Sequence, residues 1–472
     1  MKQMARVLFM LWMGLWLAIA PVWAGAAQPA PVVSGVRYSS GADLLRVVVD
    51  ADRPMAADWK VDEANGMLVV SFPGRLGAGA PGNVDLKDDV VGDLKLTALA
   101  GKVELRLPLN AASVGKVFSL QGPDRLVIDI LKAKDTKLEQ TLHEGVTYRF
   151  WQRATAKGPV SIYTLEMDPK KARLQAVLSQ DQIPGLETVS SMTARTGALA
   201  AVNGGYFEPD GEIIGLMKMN QEMVSLSYIP RSAVGIYNDG MVRIGKPDDY
   251  VGTVKLPNGM LVAVSGINQE RTEDSLILYN HFNGDSTGTN DFGAEYVLVK
   301  GKIVKINKDK GNTPIPDEGV VLSVHGKARA AFDGLKIGDA VELKQSLGNL
   351  WDRADDVLGA GPMLVQGGQV YVTTKLEKFG NDVAGGRAPR TAIGRTKQGN
   401  VLLVVVDGRQ QKSIGMTLTE IAILMQELGA EDAMNLDGGG SSEMVVGNEV
   451  MNRPSDGRER SVGAVLAVFP KK

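Results

Sequence analysis

Between Met434 and Met444 the chain reads M-N-L-D-G-G-G-S-S-E-M. Three glycines follow an acid and precede two hydroxyls. Each glycine loses much backbone entropy on folding, so such a triplet is poor core material. It suits backbone that must approach a ligand or adopt φ > 0. Upstream, Ile421, Leu424, Met425 and Leu428 recur at helical spacing, Thr417 and Glu420 form a capping box, and Gly429 is a stop signal. The predicted order is helix, short strand (433–436), then a polar glycine turn. Strand ends opening into Gly-rich loops are where α/β proteins place anionic ligands and reacting groups.

A second stretch, G-A-L-A-A-V-N-G-G-Y from Gly197 to Tyr206, follows a predicted helix over 186–195. Asn203 lies six residues after Gly197, as Asn435 does after Gly429. Two ordinary tight turns would give either stretch alone. Two alike in one chain point to a shared cleft.

The chain has 472 residues, enough for two or three domains. Its 55 glycines favour a turn-rich, β-rich fold. Lys2 and Arg6, an apolar run over 7–20, and Val22-Trp23-Ala24 with a small residue at the end make residues 1–24 a secretory signal peptide. The expectation is a periplasmic or secreted protein that is not integral to the membrane after cleavage; an uncleaved anchor is the alternative. Removing Lys2 and Arg6 takes the net charge from −2 to −4, which offers no electrostatic case for nucleic acid. The absence of cysteine excludes disulfides, thiolate catalysis and cysteine zinc sites. His143, His281 and His325 show no metal-ligand spacing.

Residues 28–33 read as an Ala/Pro-rich linker. From 33 to 132, β-rich runs at 44–49, 67–72, 103–107 and 125–131 alternate with turn residues, giving an all-β sandwich without a catalytic cluster. L-L-R-V-V-V-D-A-D-R-P (44–54) and D-R-L-V-I-D-I (124–130) resemble the first and last strands of the AMIN domain of periplasmic cell-wall amidases and secretins. The resemblance implies association with peptidoglycan or the envelope. Residues 133–145 read as a charged linker, and 146–470 as a large mixed α/β catalytic domain rich in β. The fold class is therefore α+β. Within it, 247–345 reads as largely β and as an elaboration of that domain rather than an inserted one.

Arg387 to Thr396 gathers three arginines around Pro389. Arginine's planar fork suits phosphate or carboxylate. A bare charge run is a solvated loop, but Arg390 and Thr391 lead into the hairpin partner of the apolar run 401–406, which turns one of them inward. Asp407-Gly408-Arg409 leaves that run, and Gly361-Pro362-Met363-Leu364 is a further glycine loop.

Together these elements resemble the phosphodiester glycosidase family. The matching segments are Asn203-Gly204-Gly205-Tyr206-Phe207, 361–364, 387–394, 407–409 and 435–442, with Gly266-Ile267-Asn268, Arg271 and 287–290 matching in style. The resemblance runs over about 146–469. It implies hydrolysis between a sugar anomeric carbon and a phosphate. Arg390 and Arg409 would hold phosphate. Asp437 and Asp407 would activate water or steady an oxocarbenium-like centre. Asn203, Asn435 and the N–H groups of Gly204, Gly205, Gly438 and Gly439 would bind sugar hydroxyls or phosphate oxygens, with Thr391, Ser441 and Ser442 as supporting donors. No cofactor is required by this scheme.

Three other readings stand beside it. Ser441 follows three glycines, but G-G-G-S-S-E is not the nucleophile elbow of a serine hydrolase. Asp407, Asp437 and Asp285 could ligate a divalent ion such as Ca²⁺ in a metal-dependent phosphodiesterase. The chain could also bind peptidoglycan or exopolysaccharide without catalysis.

Overall fold

The computed structural model describes residues 29–471 other than 42–43, 63–65, 89–90, 110–111, 133–135, 156 and 228. The signal-peptide expectation, 1–24, falls outside the described residues.

The first hundred described residues form two five-stranded sheets. One has Leu44–Ala51 at its centre, between Val32–Ser40 and Arg125–Lys132; the other is built around Met67–Pro73 and Lys102–Pro108. Alternate residues of both sheets, among them Leu45, Val47, Val49, Leu68, Val70 and Leu105, meet in one core. Period-2 alternation dictates this: successive side chains of a strand leave opposite faces. The four predicted β runs are all strands, and no helix occurs in this segment among the described residues.

Part of the expected linker, 133–145, is a strand. Thr136–His143 is the edge strand of an eight-stranded antiparallel sheet, paired with Val146–Thr155. Its charged sequence suits an exposed edge, where polar side chains discourage further pairing.

That sheet continues through Gly158–Met167, Val401–Val406, Arg390–Thr396, Ala430–Asn435 and Met363–Gln366 to Gln369–Val370. Val401–Val406 is buried on both faces, as its apolar run requires. Val401, Leu403 and Val405 enter the central core, whereas Leu402, Val404 and Val406 meet the helix Leu418–Glu427. The central core is closed from the other side by a five-stranded sheet, in which Ala464–Pro470 lies between Ala172–Leu178 and Ala200–Asn203. Helix Val189–Thr196 packs on the outer face of that sheet. The layers are thus helix, sheet, sheet, helix. The two central sheets are antiparallel, and strands far outnumber helices, so the α+β expectation is met with most of the weight on β.

A further sheet, with Asp356–Gly359 between Met217–Met219 and Ala233–Ile236, is a shared wall. Met217, Val234 and Leu358 face the central core, and their chain neighbours Leu216, Ala233 and Val357 face a separate core formed largely by 250–347. The β-rich middle segment is continuous with the rest through this wall.

Leu105 and Leu403 belong to different cores. Leu105→Ala and Leu403→Ala should each cost about 2–5 kcal/mol. Calorimetry should show Leu105→Ala lowering only the N-terminal transition and Leu403→Ala only the other; a shift of both transitions by either variant would contradict two separately melting cores.

Candidate functional site

The glycine turn lies where the two central sheets converge. The capping box at its approach is formed: Thr417 Oγ1 accepts from Glu420 N–H at 3.2 Å, and Glu420 Oε2 accepts from Thr417 N–H at 2.9 Å. Helix Leu418–Glu427 then ends before Gly429 (φ 85°), and Ala430–Asn435 runs into the turn.

Asn203, wholly buried, ends a strand of the five-stranded sheet. Its Nδ2 donates to Asp437 O at 2.7 Å, and its Oδ1 accepts from Thr391 Oγ1 at 2.7 Å and Glu443 N at 3.1 Å. Asp437 N–H donates back to Gly204 O at 3.0 Å. The two glycine stretches are therefore side by side. Gly204 and Gly205 have no room for a side chain: a Cβ would lie 2.9 Å from Ala464 O and 2.7 Å from Gly359 O respectively. Asn435 Nδ2 donates to Tyr206 Oη at 3.1 Å and also meets Leu436 O, and Tyr206 Oη donates to Gly361 O at 2.8 Å.

Asp437 accepts from Gly438 N–H at 2.8 Å. Burial pushes its pKa up to about 6, against the opposing effects of Ser441, Gly438 N–H and the Arg460 charge. Ser441 Oγ comes near enough to act on this carboxylate but reaches hydrogen-bond geometry with no protein group. The same turn holds four buried polar atoms without a protein partner: Asn435 Oδ1, Ser441 Oγ, Ser442 Oγ and Glu443 Oε1. Buried polar groups are nearly always satisfied, so four orphans within nine residues mark a place where something else completes the bonding. Glu443, which the sequence did not single out, is held up to about pKa 8 by burial and by Glu459 opposite it.

Asp407 has a different setting. Its Oδ1 accepts from Asn452 Nδ2 at 3.0 Å and Arg453 N at 3.1 Å, and its Oδ2 from Tyr163 Oη at 3.1 Å and Arg453 N at 3.2 Å. It is 3% exposed, so the protein consumes the whole carboxylate. Burial raises its pKa, and these donors oppose the rise. Asp407 fastens the 452–453 segment and has no oxygen to spare for water.

The arginines divide in the same way. Arg387 pairs with Glu420, and Arg395 with Asp432 at 2.7 Å. Arg390 points inward, 3% exposed, with no carboxylate at ion-pair distance among the described residues. Nε, Nη1 and Nη2 donate to Met416 O at 3.1 Å, Val383 O at 2.9 Å and Gly386 O at 3.2 Å. Of five N–H donors, two remain. Burial lowers its pKa, the nearby Tyr206 opposes that, and Arg409 adds to it. Arg409 is exposed, adopts φ 60°, and has its guanidinium over Gly439, whose Cβ would lie 3.4 Å from Nη2. A non-glycine residue in that region carries strain that its surroundings must hold. Arg231, not foreseen from sequence, lies with its guanidinium carbon 4.1 Å from the Phe379 ring centroid and 5.9 Å from that of Tyr206. Burial first, then Asp437, raises the Tyr206 pKa, while Asn435, Arg231 and Arg390 lower it. Tyr206 thus feels the charges of the acid and of two arginines, and its hydroxyl is tied to Asn435 of the glycine turn.

Two hollows, of about 380 and 430 Å³, begin at Arg231 and beyond it and are not lined by Asp437. Asp437 is therefore not part of the wall of either hollow, and Arg231, which lines the first, lies over the Tyr206 ring. Among the described residues no three of His, Asp and Glu gather into a group able to hold a metal ion, so Asp407, Asp437 and Asp285 do not form one.

Residues 293–469 match the phosphodiester glycosidase family model. That span holds both arginine segments and the glycine turn but not Asn203. An uncharacterised SPbeta prophage-derived protein of Bacillus subtilis, YomE, is 40% identical over 80 residues, 17% of this chain and 12% of its own length. The human N-acetylglucosamine-1-phosphodiester alpha-N-acetylglucosaminidase is 28% identical over 178 residues, 34% of this chain and 33% of its own. The chain thus spans a third or less of these relatives. A hypothetical protein from Synechocystis shares the fold with a TM-score of 0.65 at 21% identity, over 93% of this chain and 81% of that one.

Asp437's pKa of about 6 lies above the ordinary 3.8. A raised acid stabilises the fold below its ordinary value and loses that contribution as pH climbs through the folded value. The Asp437→Asn variant carries no such charge. Its stability relative to wild type should rise between pH 4 and pH 6 and level off above pH 7 in denaturant melts. A flat difference across that range would show that Asp437 is not held near pH 6.

Proposed function

We propose that this chain is an exported hydrolase that cleaves the C1–O–phosphate linkage of a sugar 1-phosphodiester, with a two-sheet, AMIN-like N-terminal unit that binds the cell envelope or its peptidoglycan. The observation that carries the reading is an acid raised to about pKa 6 in a turn with four unpartnered polar atoms, with the Arg409 guanidinium over the same turn, Arg231 over the neighbouring Tyr206, and Arg390 buried, none of the three having a carboxylate partner among the described residues. Two of those arginines and the acid lie in the segment matching the phosphodiester glycosidase model, which supports the same chemistry.

In this reading a phosphodiester anion is held by the free donors of Arg390 and by Arg409, in the bidentate geometry that guanidinium favours. The C1–O bond breaks, and its electron pair leaves on the phosphate oxygen. Such a leaving group is a weak base, so no strong general acid is demanded. The Asp437 carboxylate takes a proton from the attacking water, and the Ser441 and Ser442 hydroxyls and Asn435 Oδ1 bind sugar hydroxyls or that water. The products are a free sugar and a phosphate monoester. Asp407 supports the 452–453 segment in place of the catalytic role its motif implied. Arg390 acts from a fixed position set by three carbonyls, so its truncation would also loosen 383–386 and 416.

Arg409 makes the cleaner test because it has no hydrogen-bonded protein partner in the described structure. Arg409→Ala should lower turnover of a sugar 1-phosphodiester by about 10²–10³, the usual worth of one positioned donor at a developing charge. It should leave the same sugar with a neutral leaving group far less affected. Equal losses on both, or full activity of Asp437→Asn, would sink the assignment.

Deletion of 33–132 should weaken co-sedimentation with peptidoglycan while leaving turnover of a small soluble diester nearly unchanged. Undiminished sedimentation of a folded deletion variant would refute the division of labour.

A further inference from the structure

We propose that the cleft leading away from Arg231 binds the glycan portion of the substrate, and that it admits glycans bearing hydroxyl, amide or amino groups while rejecting those bearing carboxylates. This rests on the phosphodiester reading and names the substrate class for the same site.

Arg231 anchors the argument. Its guanidinium lies over the Phe379 and Tyr206 rings, which fix its plane. Its Nε is buried and has no acceptor in the protein. A fixed, desolvated donor without a partner is expensive unless a ligand oxygen meets it. Arg231 lies over Tyr206, whose hydroxyl accepts from Asn435, two residues before Asp437, so a ligand on Arg231 extends toward the glycine turn.

From Arg231 the first hollow, about 380 Å³, runs between Ile213, Ile214 and Ser227 on one side and Asn268 and Gln269 on the other. It shares Ile183, Glu212, Asn268, Gln269 and Glu270 with the second, about 430 Å³, which continues to Thr287, Thr289 and Asn290. Isoleucine surfaces flanked by amides and hydroxyls suit sugar rings, with apolar faces and a belt of hydroxyls. Phe292, 75% exposed, follows Asn290 closely in the chain.

Charge sets the class. Glu208 stands on the first hollow, Asp210 on the second, and Glu212 and Glu270 on both. None of the four has a cation at ion-pair distance among the described residues. Burial and the three neighbouring acids together raise the pKa of Glu212. The cleft therefore has a cationic inner end, matched to phosphate, and an anionic outer wall. A uronate in the outer part would meet uncompensated like charge.

The test compares two diesters with the wild-type protein and the Glu212→Gln/Glu270→Gln variant. One is a neutral disaccharide 1-(methyl phosphate); the other has a uronic acid as its non-reducing sugar. Wild type should favour the neutral diester in kcat/KM by on the order of tenfold, chiefly through KM, and the variant should shrink that ratio several-fold. Calorimetric titration with the two unphosphorylated disaccharides should rank them likewise. If neither diester is cleaved but the titration keeps the preference and the variant loses it, the phosphodiester reading fails and the cleft assignment stands. Equal handling of both sugars by wild type, or an unchanged preference in a folded variant, would overturn the cleft assignment.

Discussion

One buried carboxamide holds the site together. Asn203 is wholly buried and hydrogen-bonds to two other segments, at Thr391 and at both Asp437 and Glu443 of the glycine turn. Each bond is worth only about 0.5–1.5 kcal/mol net, but an unpaired buried partner costs roughly 1–3 kcal/mol. Losing this side chain would leave Thr391 Oγ1, Asp437 O and Glu443 N–H without the partner that each meets there. The side chain also has to be an amide. It donates at one end and accepts at the other, which neither a carboxylate nor an aliphatic residue of that size can do. Convergence of the two central sheets, and so the position of the Asp437 turn, depends on that polarity.

The two aspartates show how surroundings set chemistry. Burial raises both pKa values. Tyr163, Asn452 and Arg453 supply donors to both Asp407 oxygens, and this acid is a finished structural joint. Asp437 receives one backbone donor at hydrogen-bond distance and sits beside hydroxyls with nothing to bond. The first network is closed, and the second is open to a ligand. Among the arginines, Arg387 and Arg395 are likewise closed by acids, while Arg231, Arg390 and Arg409 are not.

Much of this was legible in the chain because it is local. The capping box of Thr417 and Glu420, the strand Val401–Val406 and the four β runs of the N-terminal unit follow from spacing alone, and the structure forms them. The pairing of the Asn203 and Asn435 stretches was suggested by their likeness, and hydrogen bonds join them. What sequence did not carry was partnership across long separations. Nothing near Asp407 announces that Asn452 and Arg453 will occupy it, and nothing near Arg231 announces Phe379. Glu443 lies one residue beyond the serines, yet its raised pKa comes from burial and then from Glu459, neither of which its own stretch of sequence reveals. The misread linker, Thr136–His143, fails for a related reason: an exposed edge strand has no apolar face to reveal it.

The strand Ala464–Pro470 has a consequence for how the molecule comes into being. It lies between Ala172–Leu178 and Ala200–Asn203, and Gly204 N–H donates to Ala464 O at 2.9 Å. More than 250 residues separate it from either neighbour, since those strands end at Leu178 and Asn203 and it begins at Ala464. A nascent chain that has already made Asn203 and Asp437 still lacks the strand that completes the Asn203 sheet. The centre of that sheet, and with it the acid's setting, can form only after residue 470 has left the ribosome. The N-terminal unit contains all of its strands by residue 132 and is free to fold long before, so the two halves acquire structure on separate clocks.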